Sequence, residues 1–235
     1  MSFTMRALPV CAALTLVAVG ASAANDARIG GVIQKDFTGA TGMVVGNAAK
    51  DLYYRDDVYS GETVATPGNG STALLFQDST RLQLGANSTV VLDRFVYDPG
   101  SQQGDASIKF SKGIFRWVTG EIKNKEAVKL ATPTATLTIR GTNFKLFVDA
   151  DGTSILQVFD GQVDMTPCNN GEPRSATAGQ ALKTTPSCGI SQVGLSDVPR
   201  DPGVDGGGGG GDGTGAPGGS NPEHSSPPAG RGNNG

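Results

Sequence analysis

A single histidine, His224, stands among 235 residues, and it falls in the glycine- and proline-rich stretch at the C-terminal end. A folded domain upstream of it has no imidazole for a Ser-His-Asp or Cys-His constellation and none for a histidine-bearing zinc site. After the first two dozen residues no apolar run approaches the about 20 that cross a bilayer, and no stretch of ten or more carries a helical apolar stripe. The formal charge of −3 gives no long-range pull toward nucleic acid or anionic membrane, so neither is expected as a partner. Paired carboxylates for acid/base work are confined to Asp56-Asp57 and Asp149/Asp151, at turns or strand edges where solvated carboxylates are the rule. The chain is therefore expected to have no catalytic residues, no metal ligands and no cofactor, and not to be an enzyme.

Cysteine is scarce as well, with three residues in the chain. Cys11 lies in an apolar run, Ala7 to Val19, that follows the lone early cation Arg6 and leads into Gly20-Ala21-Ser22-Ala23. That is the layout of a secretory signal peptide, residues 1–23, cleaved after Ala23. Leu8-Pro9-Val10 offers no small residue ahead of Cys11 for lipoprotein processing, so Cys11 is a passenger. Cys168 and Cys188 then form an even pair in a compartment where disulfides persist. Their bridge would close a loop of about 20 residues and contribute roughly 3 kcal/mol. The expected location is the periplasm or cell surface, with no membrane span after signal cleavage.

What the chain does have is a period of two. Thr72 to Phe76, Arg81 to Leu84, Ser107 to Phe110, Thr136 to Arg140 and Asn143 to Val148 each place apolar residues at or near every second position, as half-buried strands do. Turn chemistry separates them at short intervals, among them Pro67-Gly68-Asn69-Gly70, Asp78-Ser79-Thr80, Asp149-Ala150-Asp151-Gly152 and Asp160-Gly161. The reading is an all-β domain over residues 25–195, a sandwich, roll or short β-solenoid. From about 197 to 235 the run Gly206 to Gly211 and Pro217, Pro222, Pro227 and Pro228 leave little apolar surface to offset ordering entropy, so a disordered tail is expected. Asp149-Ala150-Asp151-Gly152 opens like a calcium loop but lacks the third acidic ligand and the closing glutamate, and a hairpin turn accounts for it. Between Lys109 and Lys145 eight cations face Glu121 and Glu126, with acids following from Asp149 onward. A cross-strand charge ladder is the favoured reading and an anion-binding face the alternative.

With the strands placed, Gly61-Glu62-Thr63-Val64-Ala65-Thr66 and the turn Asp78-Ser79-Thr80 resemble the first half of a FecR domain. The second half resembles it more closely, through Ala131-Thr132-Pro133-Thr134-Ala135, Ile139-Arg140-Gly141-Thr142-Asn143-Phe144, Val158-Phe159-Asp160-Gly161-Gln162-Val163 and Ala178-Gly179-Gln180. The resemblance covers roughly 61–180. It departs at Ser79, where the family pattern has glycine. It implies an extracytoplasmic β-rich module, best known from iron-transport regulators that relay a signal from an outer-membrane receptor to a sigma factor. Those regulators resemble a cytoplasmic segment and a membrane span placed ahead of the domain, whereas here a cleavable signal is expected, so the ligand stays open.

Thr132, Pro133, Arg140, Gly141, Thr142, Phe144, Gly161 and Gly179 are the motif residues carried over, as structural or binding positions. Arg140 is expected as a buried clamp on an acid such as Asp160, with an anionic-ligand site as the alternative. Trp117, the one tryptophan, is expected in the core, with an exposed aromatic for a saccharide as the alternative. Together these features describe an exported, non-catalytic module that binds a protein or an envelope polymer. An extracytoplasmic sensor working with a separate membrane partner is the second reading.

Overall fold

A computed structural model describes residues 27–35, 38–200 and 202–205. The expected signal peptide and the glycine-rich stretch from residue 206 onward lie outside the described residues.

The first eight strands are β1 (Arg28–Val32), β2 (Thr41–Val44), β3 (Lys50–Asp51), β4 (Asp57–Tyr59), β5 (Glu62–Ala65), β6 (Thr72–Phe76), β7 (Arg81–Leu84) and β8 (Thr89–Asp98). The long β9 (Gln103–Val118) follows, then β10 (Val128–Ala131), β11 (Ala135–Ile139), β12 (Asn143–Val148) and β13 (Ser154–Asp160). The last are β14 (Gln162–Pro167), β15 (Arg174–Thr177), β16 (Ala181–Thr184) and β17 (Ile190–Val193), before a helical turn, α1 (Pro202–Asp205). All seventeen strands belong to one continuous hydrogen-bonded sheet, which is folded on itself into two layers.

β9 makes the fold. Residues 103–112 pair with β8 and residues 106–109 with β10, in the second layer. Residues 113–118 pair with β12 and residues 115–118 with β7, in the first layer. The strand therefore passes from one layer to the other at Gly113, which has a φ of 114°. A Cβ there would lie 2.2 Å from Ser88 Oγ and 2.4 Å from Ser88 Cα, so only glycine fits the crossing. The crossing is tied down by Ser88 Oγ, which accepts the Ile114 amide at 3.1 Å.

On either side of β9 the two halves fill both layers. The first layer runs β4-β1-β6-β7-β9-β12-β13-β16-β17 and the second β3-β2-β5-β8-β9-β10-β11-β14-β15. Apart from β9 with β10, every pairing is antiparallel. Stacked parallel coils would have been the mark of a solenoid, so the architecture is the sandwich.

The period of two puts one face of each strand between the layers. Leu74, Phe76, Leu82, Leu84 and Trp117 of the first layer meet Val64, Val90, Leu92, Phe95 and Phe110 of the second in one core. Each such side chain contributes on the order of 2 kcal/mol by leaving water. Phe76 stacks on Phe95 across the layers, ring centroids 4.8 Å apart. Trp117 is 1% exposed and its Nε1 donates to Thr119 Oγ1 at 3.1 Å. It is a core residue, and the surface-aromatic alternative is corrected.

Two features at the C-terminal end complete the domain. Cys168 and Cys188 form a disulfide that joins the β14–β15 connection of the second layer to the β16–β17 connection of the first. The packed chain also runs past the boundary expected at residue 195 to 197. Val198 and Val204 are 5% and 1% exposed, because Phe147, Ile155, Ala181 and Val193 leave an apolar patch outside the first layer that Val198 covers. The six-glycine run begins after Asp205, at Gly206.

Removing the disulfide releases a loop closed over a separation of 20 residues and should lower stability by about 3 kcal/mol. Denaturant unfolding of the Cys168→Ser/Cys188→Ser variant, or of the parent in reductant, reads this as a lower midpoint. An unmoved midpoint would show that the two layers are held at this end without it.

Candidate functional site

The motif residues sort into turns and packing. Phe144 is buried and stacks on Trp117, ring centroids 6.4 Å apart. Thr142 is buried and its amide donates to Thr119 Oγ1 at 3.1 Å, joining β12 to the end of β9. Gly161 and Gly141 are turn glycines of positive φ that pack together, and a Cβ on Gly161 would meet the Gly141 carbonyl at 2.1 Å. Gly179 forms the turn between β15 and β16. Thr132 closes β10: its Oγ1 accepts the Ala135 amide at 3.0 Å and the Ser154 hydroxyl at 2.9 Å. Pro133 packs beside Gly152 in the β12–β13 turn. Thr66 plays the same part after β5, donating to the Gly85 carbonyl at 2.6 Å and accepting the Ser88 amide at 3.0 Å. The repeated Ala-Thr-Pro is thus a shared strand-end lock. Ser79, where the family pattern has glycine, takes a φ of 67°, held by Asp78, which accepts the Thr80 amide and hydroxyl at 2.8 Å each.

Arg140 is not the buried clamp expected. Its side chain is 58% exposed and its Nη2 lies 3.2 Å from Asp164 Oδ2, not on Asp160. The alternation explains this: Leu137 and Ile139 face the core, so residue 140 points outward. Desolvation pushes the Asp164 carboxyl up, but the Ser175, Gln162 and Arg140 donors prevail and hold it below the ordinary carboxylate range. An exposed pair of this kind is worth under about 1 kcal/mol, not the roughly 3 kcal/mol of a buried one. Arg94–Asp105 and Lys109–Asp93 repeat the arrangement between β8 and β9. The cross-strand ladder is therefore present, on the outer face of the second layer.

The other cations go elsewhere, and here sequence reasoning missed the grouping. Arg116 of β9 and Lys145 of β12 are partners in register on the first layer's outer face. The Lys145 side chain is only 6% exposed, and its Nζ donates to Asp205 Oδ1 at 2.8 Å. The Arg116 guanidinium lies 4.1 Å from the centre of the Phe159 ring, and its Nε donates to Asn143 Oδ1. Arg116, Lys145, Phe159, Leu195, Arg200 and Asp205 line one groove. Cations stacked on or set beside an aromatic at the foot of a groove suit a carboxylate-bearing ligand. Among the described residues no three His, Cys, Asp or Glu side chains gather as a metal site, and no helix is long and apolar enough to cross a membrane.

A second feature sits at the opposite end. Glu62, the acid of the first motif, is fully buried, with Oε2 accepting the Tyr59 amide at 2.9 Å and Oε1 without a hydrogen-bond partner. Burial pushes its carboxyl above the ordinary 4.5, against the pull of the Tyr59 amide and Lys50. The folded state then holds this proton more tightly than the unfolded chain. Its contribution to stability is complete below about pH 4.5 and is lost as pH rises through the raised folded value. The Glu62→Gln variant should therefore gain on the parent as pH rises, with a larger midpoint difference in denaturant at pH 8 than at pH 5. An equal or reversed difference would show the carboxylate to be well solvated.

Two crystal structures of a candidate anti-sigma factor from Parabacteroides distasonis superpose with TM-scores of 0.46 and 0.45, at 13% and 12% identity. The match covers 56% of this chain and spans 59% of theirs. No curated protein matches the sequence. The family model described as FecR protein matches residues 62–164, from the start of β5 into β14. Those strands surround β9 on both sides, and they are the part of the chain that is similar to the FecR family.

Proposed function

We propose that this chain is an extracytoplasmic sensor module that takes part in signal relay by binding a separate membrane partner as protein to protein, without chemistry of its own. The observation that carries the reading is the FecR match over residues 62–164, since that family stretch supplies the crossing strand β9 and its neighbours in both layers. The periplasm or cell surface, reached through the signal read in residues 1–23, is the compartment that suits it. The first expectation from the sequence, a non-catalytic module that binds a protein or an envelope polymer, has no comparable observation behind it. Trp117, the aromatic expected to serve a saccharide in that case, lies in the core.

Deletion of the gene, followed by transcript profiling under envelope and nutrient stress, tests the reading. A sensor role predicts that one compact set of genes loses its induction and regains it on complementation. Unchanged transcripts with altered envelope integrity would contradict relay and favour the first expectation.

A further inference from the structure

The layers end in short strands. β4 and β17 close the first with three and four residues, and β3 and β15 close the second with two and four. Such edges offer little backbone for another chain to pair with. A longer open edge lies within the second layer. β5 pairs with β8 only from Thr89 to Leu92, and Ser60 Oγ donates to the Asp93 carbonyl at 3.2 Å. From Arg94 to Asp98 the strand pairs with β9 on one side and, among the described residues, with no strand on the other.

The tip of the β8–β9 hairpin is finished on one side only. Beyond β9, Asn124 does what a neighbouring strand would do: its Oδ1 accepts the Gly104 amide at 3.1 Å and its Nδ2 donates to the Gly104 carbonyl at 2.9 Å. The Lys123 amide donates to the Gln102 carbonyl at 2.9 Å beside it. Gly104 thus turns both backbone groups away from β8. Its opposite residue, Tyr97, turns its own away from β9 by the same antiparallel alternation, as does Phe95 two positions earlier. These groups face a groove bordered by Ser60, Gly61, Arg94, Phe95 and Val96. Val96 is 53% exposed on the outer face, where the period of two also sets Arg94 and Asp98, while Phe95 and Tyr97 face the core.

The open stretch is complementary to itself. It is bounded by Asp93, whose carbonyl is taken, and by Pro99, which has no amide to donate, so its middle is Val96. A second copy laid antiparallel about a two-fold axis at Val96 sets Val96 opposite Val96, Phe95 opposite Tyr97 and Arg94 opposite Asp98. Phe95 and Tyr97 then each donate to and accept from the other, and outer residues meet outer ones. An axis at Phe95 would bring Asp98 against Leu92, where β5 already sits, and an axis at Tyr97 would bring Phe95 against Pro99. No spare charge is required. Arg94 meets Asp105 and Asp98 holds the turn through Ser101 and Gly100, all at the surface, and the register only places unlike charges opposite one another, where like ones would repel. Charges at both ends of an exposed edge also deter unrelated strands.

We infer that the edge of β8 from Arg94 to Asp98 is a self-association surface, at which two copies of this chain pair antiparallel about Val96 and carry the second layer from one molecule into the other. The inference goes beyond the sensor reading and does not depend on it, so the transcript test and the test below fail separately.

Cross-linking reads the register. Val96→Cys, Arg94→Cys and Asp98→Cys are made in the full chain, each at an exposed side chain, with Val45→Cys, at a residue 79% exposed, as the collision control. Under mild oxidation Val96→Cys should give a two-chain band on a non-reducing gel at least ten-fold faster than Val45→Cys. Arg94→Cys and Asp98→Cys should link slowly alone and quickly when mixed. Sedimentation of the parent should show a mass that climbs from one chain to two with concentration, and Val96→Lys, which sets two cations together at the axis, should move that climb to at least ten-fold higher concentration. A one-chain mass at every concentration would overturn the inference, as would a Val96→Cys rate no greater than the control, or Arg94→Cys linking alone as fast as in the mixture. Protection of the Phe95 and Tyr97 amides from hydrogen exchange in dilute, one-chain solution would assign the edge to a segment of the chain itself and overturn it too.

Discussion

The structure depends on one constraint, the passage of β9 from one layer to the other at Gly113. Before that residue the strand closes the second layer between β8 and β10, and after it the first layer between β7 and β12. The approach is so close that Ser88 occupies the place of a Gly113 side chain and accepts the Ile114 amide in its stead. Ser88 is itself held by Thr66 at the end of β5. A family motif residue, a turn and the crossing strand thus form one hydrogen-bonded unit. The two layers cannot slide past one another without breaking it, because the same backbone belongs to both.

Other fixed points serve the halves separately. In the second half the strand-end lock at Thr132 joins a buried hydroxyl cluster in which Thr134 Oγ1 lies 2.9 Å from Thr184 and 3.1 Å from Ser154, and the disulfide binds the layers at the far end. In the first half the buried Glu62 leaves an oxygen unmatched, a polar cost that the apolar packing around it must offset. The groove over β9, β12 and β13 is built on the half that holds the disulfide and the hydroxyl cluster.

Much of the fold was legible because it rests on local alternation. The strands read as Thr72 to Phe76, Arg81 to Leu84 and Asn143 to Val148 coincide with β6, β7 and β12. Of the sixteen-residue β9, Ser107 to Phe110 and the alternation around Trp117 were visible as separate pieces, since the strand changes the layer it serves at Gly113 and its alternation breaks there. Arg28–Val32 was missed because a strand with two glycines has little pattern to show. Arg140 was misplaced as a buried clamp, when the same period of two sets it outward. Lys145 was legible as a cation among apolar residues but not as a covered one, because its cover arrives from Asp205, in a segment whose composition argues for disorder. What the sequence shows poorly is contact between distant segments, and the candidate site is made of it.

The central claim is that Gly113 is required by space as well as by φ, and a comparison of two glycines tests it. Gly179 has a φ of 83° with nothing within 4 Å of an added Cβ, whereas Gly113 has a φ of 114° with Ser88 Oγ at 2.2 Å. Gly179→Ala should lower stability by about 1 kcal/mol, the cost of a left-handed alanine. Gly113→Ala should cost roughly 3 kcal/mol or more, in the range of severe steric mechanisms, or abolish folding. Equilibrium unfolding in urea of both variants beside the parent gives the answer. Equal, small losses for the two alanines would contradict the account, for they would mean that the layers are joined without the close approach at Ser88.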